Sequence, residues 1–161
     1  MKFPNDDVET WKIILFWIFN RELGYEDDER AKRTDEPNHT ISLSRAWIAA
    51  DMYLMPVLQN KIMGRLLKIY SERNARWETT KEAMFNTSPD SPLRRLYAEE
   101  ILSLVERDQV SELKLQELDG AVGLAKSMID ASRAREHEKF FSSERAVEDG
   151  ALFKKYMVKE F

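Results

Sequence analysis

Residues 46–66 read AWIAADMYLMPVLQNKIMGRL, and Pro56 interrupts what is otherwise one apolar helical pattern. Proline has no N–H to give a helix interior, and it disfavours a helical residue before it. The pattern on the N-terminal side therefore ends near Leu54 or Met55. On the other side proline is at ease in a first turn, where a missing N–H costs little. The spacing predicts two helices meeting at a sharp corner. Leu43, Ala46 or Trp47, Ala50 and Leu54 line the first, which begins near Ser42 or Ser44. Leu58, Ile62, Leu66 and Ile69 or Tyr70 line the second. Ala49 and Ala50 allow close approach of a neighbouring helix.

The same logic extends outward. Upstream, Asn5, Asp6 and Asp7 precede VETWKIILFWIFN, and Asp6 with Glu9 has capping-box spacing. Trp11, Ile14, Leu15 and Ile18 share a face of that helix. Ile13, Phe16, Trp17 and Phe19 are apolar as well, so it is apolar nearly all round. Such a helix is either central to a domain or has a face for a partner. Gly24 is its expected stop. Tyr25 to His39, YEDDERAKRTDEPNH, has mixed charge and no apolar period, and reads as a solvated, mobile loop.

Downstream of the corner, Thr79 or Thr80 is the expected cap of a short helix, KEAMFN. TSPDSP, residues 87–92, is a turn cluster. Pro92 opens a helix lined by Leu93, Tyr97, Ile101 and Leu104 or Val105. A break at Asp108 and Gln109 leads to a long final helix, with Leu115, Leu118, Val122, Ala125 and Ile129 on one face. Gly120 and Gly123 weaken it by about 1 kcal/mol each relative to alanine. The tail from Phe140 onward is expected to be helical and loosely held. No strand-like alternation of useful length occurs, so the fold class is all-α, with about six helices.

Composition narrows function more than it defines it. The chain has 161 residues, 43% hydrophobic and 34% charged, which suits one domain with a real core. Its net charge of −4 argues against a nucleic-acid partner. With no cysteine there is no disulfide, thiolate metal site or cysteine nucleophile. The start, MKFPNDD, lacks the features of a secretory signal, and the most apolar run is too short to span a bilayer. A cytoplasmic or nuclear location follows as the expectation.

No catalytic motif occurs, and the expectation is a non-enzymatic chain without cofactor or metal. His39 and His137, far apart among charged residues, read as solvated side chains. Glu99 and Glu100 are neighbours on a helix and so do not face each other as an acid–base pair. Arg94 and Arg95 have the chemistry to hold a phosphate or an acidic peptide. The simpler reading pairs Arg95 with Glu99 one turn on and leaves Arg94 in water. Trp11, Phe16, Trp17, Phe19 and Trp47 are either core or, in part, an interaction surface.

Three of these stretches, in order, resemble a known family. DDVETWKIILFWIFNREL resembles the BTB/POZ helix that runs from an acidic start through an aromatic into a leucine-rich run. AWIAADMYLMPVLQNKIM resembles the helical hairpin that follows it: Ala50, Asp51, Tyr53, Pro56, Leu58, Gln59 and Asn60 match the common pattern, and Met52 replaces the usual lysine. MFNTSPDSPLRRL resembles the fungal branch, through Asn86, Thr87, Ser91, Pro92, Leu93, Arg94 and Arg95. The resemblance spans Asp6 to about Glu106.

It implies a truncated BTB-like helical region over 1–107 and a C-terminal helical extension and tail over 108–161. The family's strand-rich half is not visible, so a shortened form or a fragment is expected, without the familiar dimer interface. The implied function is protein–protein interaction, including adaptor contact with cullin-type ubiquitin-ligase scaffolds. Tyr53, Phe19 and Leu23 are the matching contact positions. Two other readings are a small-ligand or enzymatic bundle, marked by a buried Asp51, His39 or Glu99 beside a cavity, and a structural remnant with no partner. Apolar faces left bare by a missing half predict low stability or self-association, at roughly 25 cal/mol per Å² exposed.

Overall fold

The computed structural model describes residues 8–24, 39–72, 74–138 and 155–160. Seven helices and no strand occur among them: α1 Val8–Asn20, α2 His39–Met52, α3 Pro56–Glu72, α4 Trp77–Asn86, α5 Pro92–Glu106, α6 Glu112–Gln116 and α7 Leu124–Glu138. The chain is all-α over these residues. The expected capping pair at Asp6, the segment 25–38, the His137 side chain and the tail over 139–154 lie outside the described residues.

The corner forms as the proline demands, with a detail that the proline alone does not give. α2 stops at Met52, two residues earlier than expected, because Leu54 takes a left-handed conformation with φ +54°. Leu54 N–H donates to Asp51 O at 3.2 Å and Met55 N–H to Ala50 O at 2.8 Å. That is the paired bonding of a Schellman cap, with leucine where glycine is usual. Gln59 Nε2 donates to Asp51 Oδ1 at 3.0 Å and ties the corner across. Pro56 opens α3, and Leu58, Ile62, Leu66 and Ile69 are all buried against α2, where Ala46, Ala49 and Ala50 let the backbones approach.

α1 packs on α2 with a face different from the expected one. Thr10, Ile13, Ile14 and Trp17, spaced i, i+3, i+4, i+7, are buried, while Leu15 and Ile18 point outward. In a helix apolar all round, periodicity cannot set the phase; the neighbour does. α1 also ends at Asn20, before Gly24, with Arg21 at φ +59°. α2 starts three residues before Ser42, so His39 opens a helix and is half-buried. α4 begins at Trp77, with Arg76 at its N-cap making no side-chain cap; Thr79 and Thr80 are buried within its first turn.

Polar ties hold the layers in register. Arg45 reaches both carboxylate oxygens of Glu82, at 3.2 and 3.3 Å, joining α2 to α4. Ser44 Oγ, Tyr97 Oη and Tyr70 Oη form a chain of hydroxyls, at 2.7 and 2.8 Å, through α2, α5 and α3. Burial pushes the Tyr97 phenol well above its ordinary pKa, so it stays neutral.

The last part of the chain departs most from expectation. There is no single long helix: α6 and α7 are separated by a turn in which Gly120 and Gly123 have φ +97° and +73°. Val122, Ala125 and Ile129 are exposed, and the inward side carries Leu118, Ala121, Ser127 and Ala131. α7 packs on α5, and Leu118, Ala121, Ala131 and Tyr156 join the same core as α1–α5. The core is thus continuous across residue 107.

Arg94 is the joint between these parts. It is 1% exposed, not solvated, and donates through Nη1 to Thr87 O at 2.9 Å and through Nη2 to Val122 O at 2.6 Å. Beside it, the Pro89 ring lies so close to Gly123 that a Cβ there would stand 2.5 Å from Pro89 Cγ. Burial lowers the Arg94 pKa from its usual value.

Candidate partner-binding surface

With Thr10, Ile13, Ile14 and Trp17 turned inward, the rest of the α1 circumference faces out. Val8, Leu15, Phe16, Ile18 and Phe19 are exposed there, Phe19 at 81%. Scattered apolar side chains on a surface need no explanation, whereas several grouped on one helix face call for one. The surface extends to the corner: Trp11 of α1 meets Tyr53 with ring centroids 6.0 Å apart and planes tilted by 52°. Tyr53 keeps 46% of its area exposed, and Leu54 and Val57 follow it outward.

An apolar cleft of about 430 Å³ runs along α1 between Ile13, Phe16, Phe19 and Gly24. The Phe16 ring rests on Gly24, where a Cβ would come within 2.9 Å of it. The cleft's polar groups are engaged elsewhere: Lys12 Nζ donates to Glu9 at 2.6 Å and Asn20 Nδ2 to Phe16 O at 3.0 Å. Among the described residues, Lys12 and Asn20 are the cleft's polar side chains.

Of the three residues that the family resemblance marks, Phe19 and Tyr53 lie on this surface. Leu23 is 5% exposed and packs in the core, so its side chain is not offered to a partner in this conformation. Of the aromatic set, Trp17 and Trp47 are core, Trp11 is half-buried, and Phe16 and Phe19 are outside.

The groups that would have marked a ligand site are dispersed. Asp51 is exposed and accepts from Gln59; His39 heads α2; Glu99 lies on α5. None lines the α1 cleft. Among the described residues no three His, Asp or Glu side chains gather as metal ligands. No described helix is long and apolar enough to cross a membrane.

A second polar cluster, absent from the sequence reading, involves the C-terminal residues. Glu99 Oε2 accepts from Lys155 Nζ at 2.8 Å and Tyr156 Oη at 2.5 Å. Glu99 is therefore engaged with the tail and not with Arg95, which donates to Lys155 O at 3.3 Å. Asn60 holds Val158 by both of its main-chain groups, accepting from N–H at 2.7 Å and donating to O at 2.9 Å. These pairs are 56 to 98 residues apart, beyond the reach of any local pattern.

No family model matches the chain, and no curated protein or solved structure matches it.

Proposed function

We propose that this chain is a non-enzymatic protein–protein interaction module of the BTB-like kind. Its contact surface is the outer face of α1 together with the α2–α3 corner. The observation that carries the reading is the apolar band in which Leu15, Phe16, Ile18 and Phe19 stand in water and Trp11 links their helix to Tyr53. Covering such side chains returns roughly 25 cal/mol per Å² buried, so a partner on this face stabilises the chain as it binds. The resemblance of residues 6–23 and 46–63 to the BTB helix and hairpin makes a cullin-type scaffold the first partner to test, with Phe19 and Tyr53 in the contact.

The test is capture of the purified full chain by the N-terminal domain of a cullin-type scaffold, with mass determined across a concentration series. A complex of defined stoichiometry is expected. Tyr53→Ala should weaken it by about 2 kcal/mol, roughly thirtyfold in Kd, as aromatic anchors at interface centres do. Helix content should not change, because Tyr53 lies outside the core. Equal binding by Tyr53→Ala and Phe19→Ala removes this surface from the proposal. Heterogeneous aggregates without a defined complex support the remnant reading instead.

A further inference from the structure

Polar contacts hold the described C-terminal residues against α3 and α5. Residues 155 and 156 are helical and 157–160 are not, and the segment lies on the side of α3 and α5 that carries Asn60, Arg95 and Glu99. Two kinds of contact hold the segment. Asn60 pairs with Val158 N–H and O as a neighbouring strand would, and its Nδ2 also donates to Glu160 Oε1 at 2.8 Å. Glu99 reads side chains: the lysine ammonium at 155 and the phenol at 156, whose ring is 2% exposed. Main-chain pairing gives affinity without sequence preference, and the buried tyrosine with its basic neighbour gives selectivity. The second oxygen of Glu99, Oε1, is buried with no hydrogen-bond partner among the described residues, so the site has acceptor capacity to spare.

We infer that the face of α3 and α5 around Asn60 and Glu99 is a linear-peptide docking site, filled here by the chain's own residues 155–160. Its ligand in trans is a linear segment of a partner protein that carries lysine–tyrosine followed by apolar residues. The negative Glu99 against a lysine, the buried phenol and the main-chain pairing at Asn60 define that chemistry. The site lies on helices other than α1, and the inference stands independently of the proposed α1 surface. Sixteen residues, 139–154, separate α7 from the docked segment. Covalent attachment raises the local concentration of the chain's own segment, so a partner segment competes with it.

The experiment uses a fluorescent, end-capped peptide of residues 155–160, Lys-Tyr-Met-Val-Lys-Glu, and the full-length chain. Two variants weaken the docked segment: Tyr156→Ala, which removes the buried ring, and Val158→Pro, which removes the N–H that Asn60 accepts and fixes φ there. Circular dichroism selects whichever keeps wild-type helix content; Val158 is part-exposed, so its variant carries the test if Tyr156→Ala unfolds. The expected result is saturable anisotropy with that variant and at least tenfold weaker binding to wild type. Adding Asn60→Leu to that variant should lower affinity tenfold or more. No saturable binding to the folded variant overturns the inference, as does binding that Asn60→Leu leaves unchanged. If the free peptide fails while wild type forms dimers that Asn60→Leu dissolves, the occupant is a second copy, and the partner class is overturned.

Discussion

Arg94→Met is expected to cost about 3–5 kcal/mol, read from the urea midpoint at constant slope. Two effects oppose each other here. Burying a guanidinium is expensive, and replacing buried ions by apolar side chains is sometimes neutral or stabilising. That outcome requires both partners of an ion pair to be removed together. Arg94 bonds instead to two main-chain carbonyls, Thr87 O and Val122 O, which no side-chain substitution removes. A hydrogen bond to a charged group contributes about 1.5–3 kcal/mol, and a buried acceptor left alone keeps its desolvation penalty. The loss therefore wins, and it is a large part of the 5–15 kcal/mol that holds a typical domain together. Arg94→Lys should recover less than half, since one ammonium lacks the fork that reaches two acceptors. A methionine variant as stable as wild type would show that ion burial cancels both bonds.

Gly123→Ala is expected to cost about 2–4 kcal/mol, and Gly120→Ala distinctly less. Both glycines have positive φ, which costs a non-glycine residue about 1–2 kcal/mol. Only at Gly123 does the new Cβ meet something: Pro89 Cγ at 2.5 Å, part of a ring that cannot rotate away; at Gly120 nothing lies within 4 Å. The difference between the two variants isolates that clash. Pro89→Ala in the Gly123→Ala background should then restore about 1 kcal/mol or more, a coupling that only touching residues show. Purely additive costs, or equal costs at the two glycines, would mean that the turn shifts freely and the close approach is not structural.

Both predictions concern a joint that was not legible in the sequence, and the reason is physical. The corner at Pro56 and the Leu58–Ile62–Leu66–Ile69 stripe could be read because one residue type forbids a hydrogen bond and one period repeats cleanly. The start of α5 could be read from Pro92, with Ser91 accepting from Arg94 N–H as its cap. The phase of α1 could not, since apolar residues occupy its whole circumference and α2 decides which are covered. The division of the final helix is hidden because its apolar spacing survives a break that the two glycines create by backbone conformation. Arg94 looked like a surface cation because its acceptors are carbonyls of two separate turns, one of them 28 residues away. Of the candidate surface, the residue types were visible and the exposure was not: Phe19 stands out in water while Leu23, four residues on, is sealed in the core.

The leucine at the tip of the corner has a consequence of its own. Leu54 is 84% exposed and sits at φ +54°, where a glycine or asparagine would relax the backbone and leave nothing greasy in water. Thermostability and solubility both favour replacing it. Anyone improving this protein as a reagent would begin there, and would be sanding down the outermost point of the apolar band that Tyr53 and Trp11 join to α1.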